Sequence, residues 1–448
     1  MTTRDHLGLP VSSGTEHSIQ RYEQALTSFH GYYGNPLATI DAALAVDPQF
    51  LAGHALRAGL LLTSSEQRAV PELRATVERA EALIAAGAGN ARERAHVGAA
   101  RAWLDGDFAS ASDRYNRLAL EQPRDMLAVQ VSHLCNFFFG RAQWLRDHVA
   151  AVLPHHDPSE PSHGFLQGMY AFGLEECGEY GRAEEAGRRA LAHNRRDPWA
   201  IHAVAHCFEM QGNADDGITW LESRASDWSE DNGLAVHNFW HAALFHLARG
   251  ERARVLELYD QKIGATGAEV ILELVDRSAM LWRLMLCGFD VRQRFEQLAA
   301  VYRNVQEEGY YAFNDLHAVM AYAGAGATAD VERVLSGMAR TAHESGTNAV
   351  LAREVGLPLC RGFAAFARGD HAGAVEALFG ARPLAHRFGG SHAQRDVIEF
   401  TLVVAAQRAG QRDLARALVD ARRARKPAAA LGMDALALGI DAPASAAA

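Results

Sequence analysis

The chain has 448 residues, 49% of them hydrophobic and 22% charged, with a net charge of −10 at pH 7. That balance supplies ample material for a packed core and excludes global disorder. The acidic sign, with no Lys/Arg-rich run interleaved with aromatics, excludes a nucleic-acid surface as the expected role. Five scattered cysteines (Cys135, Cys177, Cys207, Cys287 and Cys360) form no CxxC pair and read as reduced thiols in the core.

In chain order, residues 1–18 (MTTRDHLGLPVSSGTEHS) contain no apolar signal-peptide core. Nothing downstream offers about 18 consecutive apolar residues. The expectation is a soluble, cytoplasmic protein without a membrane partner. From YEQALTSF (22–29) to AVEALFGARPL (374–384) and LARALVDARRA (414–424), apolar residues recur at three- and four-residue intervals, the period of helices. A short phrase punctuates them: Gly, a polar residue, then a new helix. It occurs at Gly106-Asp107, Gly178-Glu179, Gly212-Asn213, Gly250-Glu251, Gly369-Asp370 and Gly410-Gln411. Glycine suits the left-handed residue that closes a helix, and the polar residue then starts the next.

The steps between these glycines set the architecture. Gly178 to Gly212 is 34 residues, Gly212 to Gly250 is 38, and Gly369 to Gly410 is 41. A helix hairpin of the tetratricopeptide type repeats at about 34 residues. Proline after Ala-rich helices, in Asp47-Pro48 and Asp197-Pro198, marks the same punctuation. The expected fold is all-α: a tetratricopeptide-like superhelical solenoid of stacked helix hairpins over residues 1–425. Loops are expected at His155–Pro161, Gly264–Ala268 and Gly324–Ala329, and an Ala-rich, disordered tail over 426–448.

Two histidine pairs stand out: His202/His206 in HAVAHCFEMQG and His237/His241 in HNFWHAALFHL. The i,i+4 spacing places both rings of a pair on one helical face. The pairs lie 35 residues apart, about one repeat, so successive repeats would present them to one surface. Glu209 extends the first stripe, so His202, His206, Glu209, His237 and His241 form a candidate ligand set for a divalent metal such as zinc. Cys207 lies about 100° round the helix from His206 and is not expected to join it. Trp240 walls the second pair or fills the core.

Further along, Asp276 and Arg283 share a helical stripe, and Asp315 and His317 sit in an apolar helix, where charges are usually paired. In GGSHAQRD (389–396), Gly389-Gly390 makes a turn and Ser391 caps a helix. His392, Arg395 and Asp396, at i, i+3 and i+4, share a face on which a carboxylate substrate could dock beside Gln394.

The blocks DPWAIHAVAHCFEMQG (197–212), HNFWHAALFHL (237–247), DRSAMLWRL (276–284), FNDLHAVMA (313–321) and GGSHAQRD resemble, in order, those of the tetratricopeptide repeat protein 38 family. The resemblance spans nearly the whole chain except the tail. It implies a tetratricopeptide-like α-solenoid and assigns no reaction.

The residues suggest two functions. In the first, a polar pocket enclosed by the solenoid turns over a small polar or carboxylate-bearing molecule by acid–base or metal-assisted chemistry. His202, His206, His241, His392 and Asp276 would do the chemistry, and Trp240, Gln394, Arg395, Asp396, Asp315 and His317 would hold the substrate. In the second, the repeats form a non-catalytic scaffold that binds a peptide or protein in a concave groove. No P-loop, GxSxG elbow or HExxH is present to select a reaction.

Overall fold

A computed structural model describes residues 3–265, 267, 269–305 and 308–426. One small antiparallel hairpin, Thr3–Arg4 with Pro10–Val11, precedes the helices and is tied to them by Asn90 and Arg92, which donate to the Pro10 carbonyl at 2.9 and 3.1 Å. The remainder of the described residues is an all-α solenoid of stacked helix hairpins.

The sequence starts and stops these helices locally. Thr15, Asn35, Asp107 and Asp125 each accept the backbone N–H three residues on, from Ser18, Ala38, Ser110 and Ala128. Asn90 and Glu93 close a reciprocal capping box. At the other end, Gly178 (φ 77°) and Gly212 (φ 75°) take the left-handed conformation. The next N–H then returns to a carbonyl five residues earlier, Glu179 to Leu174 and Asn213 to Phe208, both at 2.9 Å. Gly288 and Gly326 do the same work, cutting the interval from Gly250 to Gly369 into steps of 38, 38 and 43 residues. The sequence phrase misses both because Phe289 and Ala327 follow them where the pattern asks for a polar residue.

The chain clusters into two compact units: 1–204 with 227–235 and 345–348, and 205–226 with 236–344 and 349–448. In the first unit each helix from Glu16–Gly31 to Pro161–Glu176 packs on its successor. Segment 227–235 joins it through the Gly233 N–H, which donates to the Tyr32 carbonyl at 2.7 Å.

In the second unit, four helices close on one another: Ile271–Leu286, Ala312–Gly324, Leu357–Ala367 and His392–Arg408. Trp282 anchors them, its ring centroid 5.0 Å from that of Phe363 and its Nε1 donating to Thr401 Oγ1 at 3.0 Å. That closure brings residue 283 to the start of the helix at 392 and positions the candidate site. The last helix among the described residues, Arg412–Arg425, carries the chain to a buried Lys426, where the sequence placed the start of a tail. Residues 427–448 of that expected tail, and 266 and 268 of the expected Gly264–Ala268 loop, lie outside the described residues.

Candidate functional site: a buried histidine group and a basic pocket

The helix Pro198–Gln211 begins on Asp197, whose Oδ1 accepts the N–H groups of Trp199 (3.0 Å) and Ala200 (3.1 Å). Burial pushes this carboxyl up to about 7, against the two N–H donors that favour its charged form. His202, on the second turn, belongs to the first unit, its ring centroid 5.1 Å from Trp199 and 5.4 Å from Phe172. His206, one turn later on the same face, belongs to the second unit.

His206 meets the second pair, carried by Ala235–Ala248. Its ring lies 4.4 Å from that of His241, which in turn lies 4.9 Å from His237, both edge-on. His206, His237 and His241 each offer a ring nitrogen, and these nitrogens lie within 4.8 Å of one another. Two of the rings are fully buried and His237 is 6% exposed. Asp276, buried on the Ile271–Leu286 helix, takes His237 Nδ1 on its Oδ2 at 2.8 Å. Trp240 covers the group, stacked on His237 at 5.4 Å and edge-on to His241 at 4.9 Å. On its other contact, 5.2 Å away, sits the Arg283 guanidinium. Arg283 donates to the carbonyls of Ala279 (3.1 Å) and Ala393 (2.8 Å), and burial pulls its pKa down to about 10.

The second feature is a pocket of about 210 Å³ at the C-terminal helices. Arg382, Arg395, Arg422, Arg425 and Lys426 line it with His386 and His392, against the carboxylates of Asp396 and Glu399. Arg422 grips Asp396 through two bonds, 2.8 and 2.7 Å. Burial would raise the Asp396 carboxyl, but Arg422, Lys426 and Arg283 together hold it well below the usual carboxylate range. Glu399 lies 3.5 Å from Arg382 and 3.3 Å from Arg425. Met210, from the end of the His206 helix, completes the wall.

Several expected residues have other occupations. Glu209 does not join the histidines; its carboxylate is taken by the Lys426 ammonium. Gln394 closes a capping box with Ser391, its Oε1 accepting the Ser391 N–H at 2.9 Å, so its amide is committed to the helix start. Asp315 accepts the Gly309 N–H at 2.9 Å and tethers a loop. His317 bonds the Phe313 carbonyl at 2.8 Å, and burial lowers its pKa to about 4, which makes it a neutral core residue. Arg395 reaches the Gly390 carbonyl and His392 Nδ1 (3.3 Å), bracing the glycine turn from the pocket wall.

His392 lines the pocket, while His206 and His241 are buried away from its lining, so the expected shared acid–base set is divided between two places. Arg382, Arg422, Arg425 and Lys426 were missed. The run Arg422-Arg423-Ala424-Arg425-Lys426 held the signal, but it reads as a helix end running into a tail.

Among the described residues no helix is long and apolar enough to cross a membrane. No family model matches the chain. Among solved structures, a Rap protein complexed with competence and sporulation factor is similar at 12% identity, covering 73% of this chain and 99% of that one with a TM-score of 0.42. The tetratricopeptide domain of P58(IPK) is similar at 13% identity, covering 88% and 98% with a TM-score of 0.22.

Proposed function

We propose that this chain is a non-catalytic helical-repeat scaffold that holds a peptide or protein partner by an anionic group, a carboxylate, seated in the basic pocket. One observation carries the reading: five cationic side chains and two carboxylates line that pocket, in a chain whose net charge is −10. An acidic protein that gathers cations around a cavity has concentrated a local field opposite to its own. Arginine suits the task because its planar fork matches a carboxylate in two bonds. The two HxxxH blocks, His202/His206 and His237/His241, and the GGSHAQRD block are the most specific parts of the resemblance to the tetratricopeptide repeat protein 38 family, and membership of that family, one continuous array over residues 1–425 and a cytoplasmic setting belong to the same proposal.

The test is a retention experiment on the full chain with two peptide pools, one bearing free C-terminal carboxylates and the other amidated. Selective, salt-sensitive retention of the first pool, lost in Arg382→Ala/Arg425→Ala, is the expected result. Equal retention of both pools, or indifference to the substitutions, rejects it. A small dicarboxylate that raises the Tm while no peptide is retained would move the pocket to the small-molecule reading instead.

A further inference from the structure

The histidine group is not used by that proposal, and three features separate it from ordinary core histidines. The first is number. Elsewhere in the second unit buried histidines are satisfied singly: His317 by the Phe313 carbonyl, His246 by Glu251 at 2.5 Å. His206, His237 and His241 instead meet one another, from two helices, with ligand nitrogens within 4.8 Å. The second is tautomer control. His237 donates Nδ1–H to the Asp276 carboxylate, which leaves the ring's lone pair on Nε2. A carboxylate behind an imidazole is the usual outer shell of a metal-bound histidine. The third is the wall. Trp240 covers the rings, and Arg283, the nearby cation, directs its donors at the carbonyls of Ala279 and Ala393.

We propose that His206, His237 and His241 form a buried site for one divalent transition-metal ion, with Asp276 orienting His237. An all-imidazole set is borderline in softness and suits zinc, copper or nickel over magnesium or calcium. Bonds of about 2.0–2.1 Å to zinc require the three nitrogens, now within 4.8 Å of one another, to close to a little over 3 Å. His202, four residues before His206, lies outside the proposed set. The burial of the rings marks the site as structural: it pins Pro198–Gln211 to Ala235–Ala248 and so fixes the end of the helix that supplies Met210 to the pocket.

The experiment uses the full chain purified without a polyhistidine tag, stripped with a chelator and titrated with zinc and, separately, with Co(II). One zinc per chain and the visible absorption of four- or five-coordinate Co(II) with nitrogen donors are expected. Asp276→Asn should weaken zinc about 10- to 100-fold. His206→Gln/His241→Gln should abolish the Co(II) spectrum while the far-ultraviolet circular dichroism remains helical. No stoichiometric zinc or Co(II) in the wild-type chain overturns the proposal even if a variant misfolds. An unchanged Co(II) spectrum in a folded double variant overturns it as well. The peptide-retention test reads Arg382 and Arg425 instead, so failure of one proposal is distinguishable from failure of the other.

Discussion

The two units differ in how they bury polar groups. In the first, unlike groups are matched. Asp125 accepts Arg92 Nη1 at 3.1 Å, His96 Nε2 at 2.8 Å and the Ala128 N–H at 3.1 Å, so one carboxylate caps a helix and ties two hairpins. His30 bonds Gln130 at 2.8 Å. His133, a core ring among Phe172 and Trp199, is instead kept neutral, burial lowering its pKa to about 3. The second unit also has such pairs, Arg422 on Asp396 and Lys426 on Glu209, but there like groups are gathered as well: three imidazoles in one place, five cations around one cavity. A chain gains stability by the first arrangement and forgoes it in the second, because like groups compete for the same partners. Matched polarity marks structure; gathered polarity marks a place kept for something else.

The contrast breaks most visibly at Asp125. Asp125→Ala strands Arg92 in the core and should cost about 3–5 kcal/mol, as removal of one member of a buried ion pair does. Thermal unfolding measures the loss. Zinc stoichiometry and peptide retention by the folded fraction should be unchanged, and a loss of either would show that the first unit's matched groups also serve the second unit's sites.

Asp197 tests the same idea by pH, since it is a buried carboxylate capped by N–H groups alone. Its folded-state value of about 7 lies above the ordinary 3.8, so between those pH values the unfolded chain releases a proton that the folded chain keeps. Wild-type stability from this group therefore falls as pH rises from about 4 to about 7 and is level above that. Asp197→Asn keeps the acceptor for the helix cap and removes the penalty. It should leave stability unchanged near pH 4 and raise it at pH 8 by at most about 4 kcal/mol. A variant less stable than wild type at pH 8 would show that Asp197 is charged and paired like Asp125.

For the gathered histidines the expected effect is a gain. Zinc at about 100 times its Kd should stabilise the wild-type chain by about 2.7 kcal/mol. That gain should vanish in His206→Gln/His241→Gln, as differential scanning calorimetry with and without zinc would show. Equal stabilisation of both proteins would place the metal elsewhere.

How much of this was legible depended on whether the signal was local. The hairpin period was written in Gly178 and Gly212 because a helix end is decided by a few adjacent residues. It faded at Gly288 and Gly326, where Phe289 and Ala327 stand in place of the phrase's polar residue. The i,i+4 spacing of His237/His241 showed that two rings share a face, and the one-repeat offset showed that His206 could meet them. No local rule could show that Glu209, on the same stripe, would be taken by Lys426, 217 residues away. Gln394 misled for the opposite reason: its block looked chemical, yet Ser391 three residues earlier had already claimed it as a cap.

The smallest effect on stability should accompany the clearest effect on binding. Arg425 is an exposed residue whose side chain keeps 56% of its accessible area and lies 3.3 Å from Glu399. An exposed ion pair contributes little, so Arg425→Ala should change stability by no more than about 0.5 kcal/mol. In the pocket the same guanidinium is one of five cations facing the proposed carboxylate. Losing one exposed, charge-assisted contact of about 0.5–1 kcal/mol weakens retention of free-carboxylate peptides about two- to fivefold. The salt dependence of retention should shrink with it, since fewer charges then contribute to the field. Glu399→Gln should act in the opposite sense by removing the carboxylate that competes with the ligand for Arg382 and Arg425. If Arg425→Ala and Glu399→Gln shift retention in the same direction, these residues are a matched pair like those of the first unit, and the pocket is a structural seam.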